Sequence, residues 1–502
     1  MLKLALVHTR AQVGLKAPPV SVEVHISPGL PALNIVGLPE AAVRESKERV
    51  RSALINSGFD FPSNRITINL APADLPKDGG RFDLPIAVGV LAASGQIPAE
   101  ALENKSFLGE LALSGSLRPV TAILPAAIAC GEQNQELIIP SANAKLASLI
   151  SQTQVIGAND LLEVCAHLSG QTIISPLEKE VPLKTTEHSY LEFADIKGQT
   201  QAKRALIAAA AGGHHIMLFG PPGTGKTMLA SRLPGILPPL EESEAIEVAL
   251  IQSLASTHTH IHWGLRPFRS PHHSSSPISL VGGGSKPRPG EISYAHNGVL
   301  FLDEMPEFQR SALEMLREPL ENGSVVITRA KAQECFPAAF QLVAAMNPCP
   351  CGYLGDGRRA CRCTPDQVSR YRNKLSGPLL DRIDLQVEVA SQGSQQLFEA
   401  FSPKPEERSV YIQGKVTEAR KRQIKRQGKP NSQLQSKELQ VFCKISISDQ
   451  CFLQDVCDKF AYSTRAIHRI QRVARTLADL DAVEQIQKRH LAEAVHYRKL
   501  DR

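Results

Sequence analysis

Gly220, Pro221, Pro222, Gly223, Thr224, Gly225, Lys226 and Thr227 satisfy the spacing G-x-x-x-x-G-K-[ST]. The glycines let backbone N–H groups turn toward a β-phosphate, the Lys226 ammonium reaches the β- and γ-phosphates, and the Thr227 hydroxyl is a magnesium ligand. Apolar residues 215–219 precede the loop, and Met228 opens a helical run to Leu233. That is the strand, loop and helix context in which a helix N-terminus adds its dipole to phosphate binding. A glycine turn without a ligand is the bland alternative, and it leaves Lys226, Thr227 and both flanking elements unexplained. Downstream, Gly298 to Leu302 is a buried strand ending in Asp303 and Glu304. Asp303 can hold magnesium through water, and Glu304 can orient and deprotonate an attacking water. Two acids after an apolar run are common at strand ends; the phosphate loop is what gives them meaning. The implied cofactors are ATP and Mg2+.

Three further polar residues are placed to assist. Gln341 to Met346 reads as another buried strand, and Asn347 at its end can hydrogen-bond a γ-phosphate or the lytic water if the sheet order brings it near; otherwise it is a turn residue. Arg382, in Leu379-Leu-Asp-Arg-Ile-Asp384, is a candidate arginine finger for a neighbouring subunit's nucleotide, against a local ion pair with Asp381 or Asp384. Arg465 opens a helix after Tyr462-Ser-Thr and is a candidate second sensor, against an ordinary solvated arginine. Cys349, Cys351, Cys361 and Cys363 form C-x-C-x9-C-x-C around a glycine-rich basic loop with Arg358 and Arg359. Four thiolates can close a tetrahedral zinc site; reduced thiols or a redox cluster are the alternatives.

The elements that must position these groups are those of a chain of several domains. At 502 residues, with 42% hydrophobic and 21% charged residues, it has the composition of a soluble globular protein. No run of about 18 apolar residues suggests a membrane helix. The first ten residues read as a buried strand rather than a signal peptide, which points to the cytoplasm, where ten cysteines argue against a disulfide framework. A net charge of +6 points weakly to an anionic partner.

Residues 1–172 read as an α/β domain, with strands at 20–26, 65–70 and 107–113 and helices at 40–57 and 84–95. In the first helix Val43, Val50, Leu54 and Ile55 fall on one face. Residues 173–190 are polar and contain Pro176 and Pro182, the signature of a linker. An α/β core with a parallel sheet follows at 191–395, then an all-α lid at 396–502 with helices at 408–427, 463–480 and 485–498.

Lys286 to Glu304, with Arg266-Pro-Phe-Arg-Ser-Pro-His-His273 before it and Leu316 to Glu321 after it, strongly resembles the magnesium-chelatase-like AAA+ family over nearly the whole chain. The resemblance implies a homo-hexameric ring that encircles single-stranded and branched DNA and drives branch migration during natural transformation. It also keeps two rivals in view, the motor subunit of a metal chelatase and an unfoldase or protease.

The N-terminal domain resembles that of Lon protease at Pro76 to Asp83 and Gly109 to Val120. Arg81 stands where the nucleophilic Ser should be, and Ile123 and Leu124 where its Lys base should be, so a Ser–Lys dyad cannot operate. Arg81 is expected at the surface or in an ion pair, with a phosphate contact as the alternative. In related motors a hairpin projects into the pore, which makes Arg329 and Lys331 candidate DNA contacts, against a solvated hairpin face. Residues 419–429 hold six cations and no acid, fitting either phosphate contact or a solvated helix face. His258, His260 and His262, with His272 and His273, suggest a loop contacting DNA or a neighbour rather than a metal site.

Overall fold

The computed structural model describes residues 4–37, 40–178, 190–255, 261–284, 287–329, 332–357, 359–391 and 405–498. Two compact units make up the chain, Met1–Lys184 with Ala249–Trp263, and Thr185–Val248 with Gly264–Arg502. No helix among the described residues is long and apolar enough to cross a membrane.

In the first unit seven strands form a mixed sheet in the order Ala32–Val36, Arg65–Ala71, Pro19–Ser27, Leu4–Arg10, Lys105–Phe107, Glu136–Pro140, Val155–Ala158. Strict alternation drives the pairing: Val22 opposes Leu70, Val24 opposes Ile68, and Ile26 opposes Ile66, all buried on one face. The helix Asp83–Ala93, apolar all round, is buried along its whole length. The helix Ala41–Asn56 buries Val43, Val50 and Leu54, whereas Ile55 is 51% exposed, because one residue of helical rotation carries it off the stripe. The segment 107–113 is not one strand. Lys105–Phe107 stays in the main sheet, the Gly109 N–H turns to Arg81 O, and Glu110–Leu111 pairs with Leu117–Arg118. Of the expected linker, Leu177 N–H still bonds Val155 O at 2.9 Å, and 179–189 lie outside the described residues.

The second unit is built on five parallel strands ordered Phe268–Arg269, Val299–Leu302, Gln341–Met346, Ile216–Phe219, Leu385–Glu388. Since all run the same way, their carboxyl ends share one edge, where ligands of open parallel sheets bind. Helices Ser409–Gln427, Ser436–Phe442, Ile447–Phe460, Thr464–Leu480 and Lys488–His496 follow. Ile470, Val473 and Leu477 join Leu206, Ile216 and Val387 in a single apolar core, so lid and sheet share one interior.

Half of the basic run 419–429 is engaged inside this unit, while Lys421, Arg422 and Lys425 remain exposed on the helix face. Arg420 donates to Ala210 O and Ala211 O, capping the carbonyl end of the helix Thr200–Gly212; Arg426 grips both carboxylate oxygens of Asp479; Lys429 pairs with Glu438. Neither a solvated face nor a free phosphate-binding face describes these three cations.

A buried polar network fastens the first turn of the sheet to the lid. His214 Nδ1 lies 2.9 Å from Asp384, its Nε2 lies 2.7 Å from the Thr476 hydroxyl, and Arg469 stands 3.7 Å from Asp384. Burial alone would raise the Asp384 carboxyl; the His214 hydrogen bond and the charges of His214, Arg469 and Arg472 outweigh it and hold the group well below the usual carboxylate range. A depressed carboxyl contributes stability that is full above its unfolded value of about 3.9 and is lost progressively as pH falls below it. Thermal melts between pH 7 and 3 should therefore show Asp384→Asn destabilised by about 3–5 kcal/mol at neutral pH, with a shallower loss on acidification than the wild type. Parallel curves for the two proteins would remove Asp384 from the stabilising network.

Candidate nucleotide site

The strand Ile216–Phe219 runs into the phosphate loop, and Gly225, at φ +88°, ends the loop as the N-cap of the helix Lys226–Arg232. A side chain at that left-handed position would be strained, and the turn is what aims Lys226 back across the loop. Lys226 Nζ donates to Gly220 O at 2.7 Å, Pro221 O at 2.8 Å and Asn347 Oδ1 at 3.1 Å. Burial pulls its pKa below the ordinary lysine value, while Asp303 and Glu304 act in the opposite sense. Asn347 is there because its strand neighbours the loop strand in the sheet, the condition its sequence role required.

Thr227 donates to Asp303 Oδ2 at 2.8 Å, which places a hydroxyl and a carboxylate side by side as a magnesium ligand pair requires. Glu304 follows in a left-handed conformation, φ +50° and ψ 45°, with its N–H on Asp303 Oδ1 at 3.0 Å. Non-glycine residues hold that conformation at a cost of about 1–2 kcal/mol, and it separates the directions of two adjacent carboxylates at the strand end.

His273 Nδ1 lies 3.8 Å from Glu304 Oε2, with the His272 ring centroid 4.1 Å from that of His273 and the planes tilted by 33°. The sequence placed this pair in a loop reaching DNA or a neighbour, whereas here it stands beside the candidate base. Only the sheet order brings it there, because Phe268–Arg269 pairs with Val299–Leu302. His258 and His260 lie outside the described residues.

Arg382 pairs with neither Asp381 nor Asp384. It donates to Arg317 O at 3.2 Å and Pro378 O at 2.5 Å, and it contacts Glu321 from the helix Arg317–Asn322. Arg465 is 75% exposed and stands 3.7 Å from Asp381. No hydrogen bond or ion pair among the described residues joins either arginine to Lys226, Thr227, Asp303 or Glu304 within the chain. The hairpin Ser324–Arg329 with Ala332–Pro337 forms as expected; Lys331 and the Arg329 side chain lie outside what is described.

The four cysteines converge. Sγ–Sγ distances are 3.4 Å for Cys349–Cys351 and 3.6 Å for Cys349–Cys361 and Cys351–Cys361, and with Cys363 all four thiols lie within 4.8 Å of one another. A tetrahedral zinc–thiolate site has edges of about 3.8 Å, and a disulfide needs about 2.05 Å, so the cluster fits zinc and not a bridge.

In the first unit the dyad positions are filled by other chemistry. Arg81 is buried rather than at the surface, donates to Thr121 O, and is pulled by burial to a pKa of about 10. Ile123 and Leu124 are buried in the helix Ile123–Glu132. Asp83 is gripped by Arg49 at 2.8 and 3.0 Å, and burial raises it to about 6 against that pairing.

Three family descriptions match the chain: "Magnesium chelatase, subunit ChlI" over residues 192–397, "Subunit ChlI of Mg-chelatase" over 22–143, and "Magnesium chelatase, subunit ChlI C-terminal" over 406–498. The chain is similar to competence protein ComM of Haemophilus influenzae, at 50% identity covering 100% of this chain and 98% of the relative. It is also similar to the uncharacterized protein YifB of Escherichia coli, at 48% identity with 100% and 98% covered. A partial likeness to Lon protease 2 of Bacillus subtilis, 27% identical, covers 34% of this chain and 32% of that protein.

Lys226→Ala should lower affinity for a fluorescent ATP analogue by about 100-fold, since the charge-assisted bonds to phosphate are lost. Glu304→Gln should keep that affinity and cut turnover by about 10²–10⁴. Unchanged turnover in either variant, measured as phosphate release, refutes the assignment.

Proposed function

Because the chain belongs to the magnesium-chelatase-like AAA+ ATPases of the ComM type, we propose that it is a cytoplasmic DNA motor whose hexameric ring drives branch migration and the integration of single-stranded DNA in transformation or recombination. ATP hydrolysis with magnesium is the family's chemistry; the DNA track and the ring are the proposal. The observation that carries it is the meeting of Lys226, Thr227, Asp303 and Asn347 at one sheet edge, in a chain that matches a competence protein from end to end.

Lys226 exchanges its carbonyl partners for phosphate oxygens, and Asn347 holds the ammonium in line. Magnesium bound at Thr227 and Asp303 would neutralise the charge that develops on the phosphates. Glu304 accepts the proton of the attacking water, and His273 faces that carboxylate from the neighbouring strand's loop. Arg382 is the arginine offered to the adjoining protomer's γ-phosphate; within its own chain it bonds Glu321, Arg317 O and Pro378 O, partners that it exchanges for the stronger anion. Arg465 is the lid's contribution, and the Ser324–Pro337 hairpin with Arg329 and Lys331 is the pore contact with DNA. The first unit is a Lon-like scaffold without proteolysis, supported by the buried Arg81, Ile123 and Leu124 at the dyad positions.

Turnover should rise several-fold with single-stranded or forked DNA, and casein should remain intact under the same conditions. Indifference to DNA would return the chelatase and unfoldase readings, and casein cleavage the protease. Arg382→Ala should leave ATP affinity unchanged while lowering turnover about 10³-fold; mixing it with Glu304→Gln subunits, each nearly inactive alone, should restore turnover where an intact Glu304 site meets a neighbour's Arg382, which an arginine acting within its own protomer would not produce.

A further inference from the structure

The cysteine cluster and the phosphate loop are parts of one construction. Asn347, which accepts from Lys226, is separated from Cys349 by Pro348 alone, and Cys349 is fully buried. Gly352, at φ +85°, follows Cys351 and presses its backbone against the loop: a Cβ there would come within 2.8 Å of Pro222 Cδ and 3.9 Å of Asn347 Cγ. After Cys363, Thr364 caps the helix Pro365–Arg372 with a complete capping box. That helix returns to the start of the segment, where the buried Tyr371 hydroxyl bonds the Asn347 backbone and Arg372 reaches Pro348 O at 3.5 Å. The chain thus leaves Asn347, runs through four cysteines, and closes on Asn347 again.

Almost nothing apolar holds the middle of this loop. Between Cys351 and Thr364 the described residues are exposed or half-buried except Gly352, and Arg359 bonds the Tyr353 hydroxyl and covers its ring. A polar loop of this length has no core to fix it, and a tetrahedral ion replaces one. We propose that the four-cysteine cluster is a positioning site for the nucleotide pocket: a divalent cation of the zinc class, held by Cys349, Cys351, Cys361 and Cys363, fixes Asn347 and Pro222, so that grip on the triphosphate depends on metal loading. The inference rests on reading Lys226 and Asn347 as phosphate-binding groups.

The test uses the full chain. Metal content is measured with a chromogenic chelator after thiol modification, and affinity for a fluorescent ATP analogue is measured on the zinc-loaded, stripped and zinc-restored protein, with a thermal melt on each. Zinc at about one per chain and an affinity that falls about tenfold on stripping and recovers on restoration are expected, the size of one lost charged hydrogen bond. Gly352→Ala separates coupling from folding: it keeps all four thiols and should keep the zinc, while its methyl group displaces Pro222 and weakens ATP binding. Cys451→Ser, an exposed thiol on a lid helix, should change neither quantity. A chain that takes up no zinc, a stripped chain with unchanged affinity, or a Gly352→Ala variant that keeps zinc and full affinity each overturns the proposal. Tight ATP binding by wild-type protein in any of those cases leaves the nucleotide site itself intact.

Discussion

A buried ammonium has to remain charged, and the second unit is arranged around that constraint. Lys226 is desolvated by the loop that it serves, which weakens its hold on its proton. Two carbonyls and the Asn347 amide oxygen replace the lost water, and the two carboxylates after Leu302 supply opposing charge. Each of these groups arrives from a different stretch of chain. They meet because the parallel sheet brings the ends of Ile216–Phe219, Val299–Leu302 and Gln341–Met346 to one edge.

The same economy of buried charge explains the lid. His214 and Asp384 stand at the far end of the sheet strands from the phosphate loop, and both are inside the protein. Thr476 of the helix Thr464–Leu480 bonds His214 and Arg469 sets its charge 3.7 Å from Asp384, so the lid helix is held to the sheet by polar pairing as well as by Ile470, Val473 and Leu477. Arg420 does similar work at the carbonyl end of Thr200–Gly212, where orphan acceptors need donors. Arg420, Arg426 and Lys429 of the basic run are thus engaged by internal acceptors, while Lys421, Arg422 and Lys425 keep an exposed face.

In the N-terminal unit charge also serves packing. Arg81 is buried with its guanidinium bonded to the Thr121 carbonyl, and Ile123 and Leu124 are buried in the helix Ile123–Glu132. Asp83, from the same segment, accepts from Arg49 and from Leu111 N–H, tying the buried helix Asp83–Ala93 to the small hairpin.

The sequence by itself determined the local chemistry. Loop spacing, alternating strands and helical periodicity are short-range properties, fixed by backbone geometry and side-chain type, so Lys226, Thr227, Asp303 and Glu304 and the helices of the lid were legible in it. What lay beyond it were relations between segments distant in the chain. Asn347 became a partner of Lys226, and His273 a neighbour of Glu304, only through strand order; Arg382 found Glu321 rather than its sequence neighbours; Ile55 turned outward; half of the basic run turned inward. Those outcomes depend on which surfaces desolvate which charges, and desolvation is decided by the whole packed structure rather than by any window of residues.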